Sequence, residues 1–511
     1  MIRSSETRPA AVRLCASAIL LAVLALLALF ALAGLTRFAY LSTGNGKSEW
    51  ITFVSVPLSC SLLSLLCALL CALLLRRVFG RFARALPVAA ALWAAATIWL
   101  VLMLRTGQIY DAAKVLEAAT LFAQGNYKAM LTEYFNACSY QLGLCLPMEF
   151  AARLLPGLNL NLFMQVANVL LSVLTAFALC AFAREALGTP GAGCAALFVL
   201  LLPAPLVCTA VYGTLPMLAA VSLSLLCYAR YVRTRRARFG LAYALLLAIG
   251  YMLKPNAAIA LIALTLCAAL DALSRRSVRP LLYALLAIAL SVGLARAAIW
   301  QYELRSGVTL RPDVSMLARL TMGLQEGGGA AGWFNRYIES FFSFDVTQAQ
   351  QRETALLDLT ARLGQMREDP AMALSFFAEK LLSQWLEPTY GTQWAGALSA
   401  HTGPLSQAAQ AAFAEGSAVR AALTACMRAS QLLLYTLSGA GLLRLLRRGA
   451  GALEAALPLI VLGGALYHLI FEAKSQYAYV YAVLLVPLAA HGLEALLSRA
   501  QKRLSRTRAR A

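Results

Sequence analysis

The chain has 511 residues, 61% of them hydrophobic and 13% charged, with a mean hydropathy of +0.71 and a net charge of +21. A soluble chain carries about 25% charged residues, so a soluble globular fold is excluded. The basic residues stand in short clusters between apolar runs. That is the pattern of a positive-inside membrane protein facing anionic head groups, and nucleic acid is not an expected partner.

Apolar runs such as Leu14 to Leu35, Ile51 to Leu75, Leu86 to Leu104 and Leu281 to Trp300 reach the ~20 residues that span a bilayer as helix. The first run lacks a small-residue cleavage site before polar sequence and reads as an anchor rather than a signal peptide. The fold class expected is therefore all-α, a polytopic membrane protein with about 12 transmembrane helices. Arg3, Arg8 and Arg13 place the N-terminus on the cytoplasmic side. Arg76, Arg77, Arg81 and Arg84 follow the second run and lie on the same side, so the third run delivers Asp111 to the opposite, outer face.

Between that loop and the basic loop Arg230 to Arg238 lie four apolar segments: Leu142 to Leu155, Leu162 to Phe182, Ala192 to Val211 and Leu215 to Tyr231. An odd number of crossings is required. The first segment is short and holds Glu149 and Arg153, an i,i+4 pair, and is read as a re-entrant or interfacial helix. Arg275, Arg276 and Arg279 are again inside, which turns the tip Lys254-Pro255-Asn256 outward. Residues 1–300 thus form an N-terminal transmembrane module whose first outer loop is 105–141. The polar segment 301–428 holds twelve of the chain's 23 acids and reads as extracytoplasmic. Within it, Gln348 to Arg367 has helical periodicity and Glu326 to Gly332 is a glycine-rich flexible loop. Residues 429–511 form C-terminal transmembrane helices and a basic cytoplasmic tail, Arg499 to Arg510, so both termini are cytoplasmic.

An ionisable residue at a membrane boundary is costly and commonly functional. Asp111 is the candidate catalytic base; an N-cap role has equal weight, because Asp before a helix accepts backbone N–H bonds. Lys254, Lys474 and Arg105 are candidate ligands for the phosphate of a lipid, although each alone reads equally as a cation snorkelling to head groups. Glu472 reads as an electrostatic partner of Lys474. Tyr134, Asn136, Tyr140, Gln141, Gln476 and Tyr477 form a candidate substrate-binding surface. An interfacial aromatic belt accounts for most of the tyrosines. The 12 cysteines are read as apolar packing residues, with Cys138 and Cys145 the one pair placed to bond. Three histidines do not make a His metal cluster, no nucleotide-phosphate loop is present, and a divalent metal has no support.

Asp111, the helix ending Ala-Gln-Gly-Asn-Tyr127, then Tyr134-Phe135 and Tyr140-Gln-Leu-Gly143, resembles the first outer loop of GT-C superfamily glycosyltransferases. That group includes protein O-mannosyltransferases and the aminoarabinose transferase of lipid A. Met322-Gly-Leu through Gly332-Trp-Phe, Gln384-Trp-Leu-Glu-Pro388 and Glu472-Ala-Lys-Ser-Gln-Tyr477 fit the same group. The loop departs from many members in having a single acid, and in Ser139-Tyr140-Gln141 where they carry prolines. The resemblance implies a bacterial cell-membrane enzyme with a polyprenyl-phosphate sugar as donor substrate. Its acceptor is an envelope glycan, lipid or protein at the extracytoplasmic face. It also implies an inverting displacement with Asp111 as base. A lipid-linked glycan flippase or transporter, or a glycan polymerase, is the alternative; no internal repeat of the transporter kind is seen.

Overall fold

A computed structural model of the chain describes residues 9–44, 49–81, 85–327 and 329–508. Arg3, Arg8, Arg84 and Arg510 lie outside the described residues. The fold is helical, and ten of the described helices are long and apolar enough to cross a membrane. They include Ala10–Thr36, Leu58–Arg81, Ala85–Leu104, Leu160–Leu187 and Thr214–Thr234, then Arg279–Ser306, Ala418–Arg448 and Ser475–Arg508. Ala237–Leu253 is a shorter apolar helix. Leu142–Leu154 has 13 residues, too few to span, in line with its reading as a re-entrant or interfacial element.

Three expectations are corrected. The run from Ile51 is not one helix: its alternating Trp-Ile-Thr-Phe-Val-Ser forms a strand, Trp50–Ser55, antiparallel to Arg37–Ser42, and the helix starts at Leu58 after Pro57. Ala192 to Val211 breaks into Gly191–Val199 and Ala204–Val207, because Pro203 and Pro205 withhold the amide donors a continuous helix needs. Ala418–Arg448 begins well before residue 429, where the C-terminal transmembrane helices are expected to start.

The described residues of the Glu326 to Gly332 loop are pinned rather than slack. Gly332 N donates to Gln325 O, Ile51 N to Gly329 O and Ala473 N to Gly332 O. The loop thereby joins the β-hairpin to the start of the last helix. Gln348–Glu368 is helical as expected, opened by a capping box of Thr347 and Gln350. Its Leu356, Leu357 and Leu363 are nevertheless exposed.

Helix packing uses small residues, as it does where lipid gives no hydrophobic drive between helices. Ala418–Arg448 lies against Ser475–Arg508 so closely that a Cβ on Gly492 would sit 1.9 Å from Leu437 O, and one on Gly441 2.2 Å from Leu488 O. At one end of the bundle the acids are matched to the basic clusters: Arg76 to Glu494 (2.8 Å), Arg230 to Glu185 (2.9 Å) and Arg235 to Asp271 (2.6 Å). The opposite end carries the Asp111 loop, the β-hairpin, the Lys254 tip, the polar segment and Glu472–Tyr477.

Candidate active site

The approach to Asp111 is held rigidly. Gly107 N donates to Ala400 O (2.7 Å) and Gly403 N to Leu104 O (3.1 Å). Gln108 ties the same stretch to two other elements: its Nε2 donates to Asn161 Oδ1 (2.8 Å) and Thr209 O (3.0 Å), and its Oε1 accepts from Val211 N (2.7 Å). Tyr110 then opens the helix Tyr110–Ala123 at φ 51°, a left-handed value uncommon for a large residue, with its ring stacked on Trp394 at 5.9 Å. The cap position is Ile109, and Asp111 sits inside the first turn. The N-cap reading is therefore not met. The Asp111 carboxylate is exposed, with no hydrogen bond or ion pair among the described residues.

Lys254 closes the tip between Ala237–Leu253 and the helix that follows. Gly213 allows the approach, since a Cβ there would meet Leu253 O at 2.5 Å. Lys254 is buried; its Nζ donates to Thr214 Oγ1 (2.8 Å) and lies 4.4 Å from the centre of the Tyr212 ring. Tyr212 in turn accepts from Gln141 Nε2 at 2.6 Å. Burial pushes the Lys254 ammonium down to about 7, against the pull of Asp111 and Glu472, which favour its charge. Burial, then repulsion from Asp111, pushes the Tyr134 and Tyr212 phenols up. Asp111 thus lies within electrostatic reach of groups from separate stretches. Lys254 lines a small, partly open pocket. Thr214, Asn256, Gln476 and Tyr477 are its polar lining, and Val221, Ile259, Ile460 and Leu484 are among its apolar lining.

Lys474 occupies a different environment. Its Nζ is 3.0 Å from Glu49 Oε1 and 3.6 Å from Glu472 Oε1. Burial opposes its charge, but Glu49 and Glu472 outweigh that and hold it above the usual lysine range. Glu472 is pushed up by burial and by repulsion from Glu49 and Asp111, with Lys474 opposing. The expected partnership of Glu472 and Lys474 is present, and Glu49 is an acid that sequence reasoning missed. Arg105 is exposed, with φ 45°; its carbonyl accepts from Thr402, and no side-chain contact ties it to this cluster among the described residues.

Of the expected substrate-binding residues, Tyr140, Gln141, Gln476 and Tyr477 surround this region. Tyr134 is buried beneath Lys114, whose Nζ is 4.4 Å from its ring centre. Asn136 is spent on the backbone: its Nδ2 donates to Met130 O and Thr132 O (both 3.1 Å) and its Oδ1 accepts from Arg311 N (3.3 Å). It holds the loop's shape and offers no free amide. Cys138 and Cys145 are both free and buried, so the suggested pair is not formed. Glu149 does pair with Arg153 (2.7 Å), and also accepts from Arg305 and Tyr302 (both 2.6 Å). No group of three or more His, Cys, Asp or Glu placed to hold a metal ion occurs among the described residues.

Residues 157–300 match the family model described as dolichyl-phosphate-mannose-protein mannosyltransferase. The matched stretch contains Tyr212, Thr214 and Lys254 but neither Asp111 nor Lys474. The resemblance to GT-C mannosyltransferases is thus met over that stretch. No curated protein matches the chain. Among solved structures, the archaeal oligosaccharyltransferase AglB from Archaeoglobus fulgidus, in complex with an inhibitory peptide and a dolichol-phosphate, is similar at a TM-score of 0.39 and 12% identity. The likeness covers 84% of this chain and 52% of that one, so this chain spans about half the length of AglB.

Proposed function

We propose that this protein is an integral-membrane glycosyltransferase of GT-C type. It moves a sugar from a polyprenyl-phosphate donor to an envelope acceptor, with the Asp111 end of the bundle on the extracytoplasmic side of the cell membrane. The observation that carries this reading is an unengaged carboxylate, Asp111, within electrostatic reach of Lys254, which lines a pocket of mixed polar and apolar side chains. An amphiphile with an anionic head and a hydrocarbon tail matches the chemistry of that lining, a cation among apolar side chains. The family matched over residues 157–300 is named for a dolichyl-phosphate sugar, which is an amphiphile of that kind.

In this reading the donor phosphate sits against Lys254, with Thr214 orienting the ammonium. Asp111 accepts the proton of the acceptor hydroxyl as its oxygen attacks the anomeric carbon. The phosphate leaves with the bonding electrons and Lys254 stabilises the charge it gains. One displacement inverts the anomeric configuration. Lys474, already matched by Glu49 and Glu472, sets the shape and field of the loop instead of binding phosphate. The test is transfer of labelled sugar from a polyprenyl-phosphate donor by the purified protein and by Asp111→Asn. Loss of about 100-fold or more is expected for removal of a general base. Undiminished transfer by a folded Asp111→Asn protein would overturn the assignment.

A further inference from the structure

A second cation stands beside this site, and sugar transfer as described does not use it. Arg319 belongs to the helix Met316–Gly323 of the polar segment, capped by Ser315. That helix is fastened to the Asp111 loop: Val314 N donates to Ala137 O (3.2 Å) and Ser139 N to Asp313 Oδ1 (2.6 Å). The Arg319 guanidinium lies 5.5 Å from the centre of the Tyr140 ring, and its Nη2 makes long contacts to Ala137 O (3.4 Å) and Cys138 Sγ (3.7 Å). Among the described residues no carboxylate reaches ion-pair distance, although Asp313 contributes to its field. Its Nε and Nη1 have no partner there, and neither is sealed away from open space. Its neighbours differ: Lys474 has Glu49 and Glu472, Arg305 and Arg153 share Glu149, and Arg362 has Glu326. A guanidinium with one edge engaged and another open is suited to bidentate capture of an oxyanion.

Arg319 and Lys254 lie over different rings of one cluster. Lys254 lies over the Tyr212 ring, whose hydroxyl accepts from Gln141, whereas Arg319 lies over the ring of the adjacent Tyr140. Asp111 acts on both Tyr140 and Lys254. A donor phosphate held at Lys254 thus leaves the guanidinium over Tyr140 for a second anion.

We propose that Arg319 binds an oxyanion of the acceptor, so that the hydroxyl presented to Asp111 belongs to an anionic molecule of the phosphate or carboxylate class. This rests on the transferase reading above, and the test separates the two. The full-length protein in detergent is titrated with farnesyl phosphate as a donor-head probe, and with inorganic phosphate or acetate as acceptor-anion probes, following the thermal unfolding midpoint. Phosphate or acetate is expected to stabilise the wild type even at saturating farnesyl phosphate. Arg319→Gln is expected to abolish that response while changing farnesyl phosphate affinity by less than about threefold, and Arg319→Lys to weaken the response about fivefold or more, since an ammonium lacks the fork.

Competition between the small anion and farnesyl phosphate would overturn the proposal. So would a loss of about tenfold or more in farnesyl phosphate affinity in Arg319→Gln, or no small-anion response in the wild type. If Arg319→Gln does not fold, an undiminished response in Arg319→Lys overturns it. Failure of farnesyl phosphate to bind the wild type would count against the donor reading alone, because the small-anion response of Arg319 is still read directly.

Discussion

Glu49, on the hairpin between the first two long helices, places its Oε1 3.0 Å from Lys474 Nζ, at the start of the last one. Both side chains are mostly buried, at 14% and 19% exposure. Backbone bonds reinforce the link, since Ile51 donates to Gly329 and Ala473 to Gly332 in one continuous chain of contacts. The hairpin is thereby part of the site's frame. Glu49→Gln is expected to destabilise the protein by about 1–3 kcal/mol, the range for a buried hydrogen bond to a charged group. A double-mutant cycle with Lys474→Met should return a coupling energy of about 1 kcal/mol or more. Additive effects of the two substitutions would show that the pair contributes nothing.

Asp111→Asn should behave in the opposite way. The carboxylate is exposed and makes no hydrogen bond or ion pair among the described residues, so its loss should change unfolding free energy by no more than about 0.5 kcal/mol, as for an ordinary surface substitution. A large activity loss with an unchanged unfolding midpoint is the expected combination. A midpoint drop of many degrees would mark Asp111 as structural.

Much of this site was legible in sequence because it follows from topology. Basic clusters orient the spans, and the spans then bring Asp111, Lys254 and Lys474 to one end. What escaped depends on packing that no local pattern encodes. Glu49 stands just before a six-residue alternation, Trp50–Ser55, that merges into the next apolar helix, so in sequence the strand reads as part of a membrane span. Arg319 is one arginine among several in a polar segment, and only the docking of residues 313–319 onto 137–140 turns it toward Tyr140. Asn136 erred the other way: among aromatics it resembles a sugar ligand, but nearby backbone carbonyls at 130 and 132 take its amide first.

The helix Leu142–Leu154 is anchored through Glu149, which is 3% exposed and bonded by Arg153, Arg305 and Tyr302. Burial opposes its charge, but the hydrogen bonds from Arg305, Tyr302 and Arg153 prevail and hold it below the usual carboxylate range. A depressed carboxylate contributes stability that is present above its unfolded pKa of about 4.3 and is lost as pH falls through the lower folded value. Glu149→Gln should therefore cost about 2–3 kcal/mol at pH 7. Its penalty should shrink when unfolding is followed below about pH 4. Equal penalties at both pH values would remove the charge from the explanation.

Lys254 gives the pH dependence most directly tied to the proposed chemistry. Burial lowers its ammonium to about 7, so at pH 8 the free protein holds it mostly neutral. An anionic head group docking beside Nζ favours the charged form and raises the value again. Binding at pH 8 should therefore take up close to one proton, and above pH 7 affinity should fall by up to about tenfold per pH unit. Calorimetry of farnesyl phosphate binding at pH 8, in two buffers of different ionisation enthalpy, measures the uptake. Lys254→Met should abolish it and weaken binding by about tenfold or more. Binding without proton uptake in the wild type would place the phosphate away from Lys254.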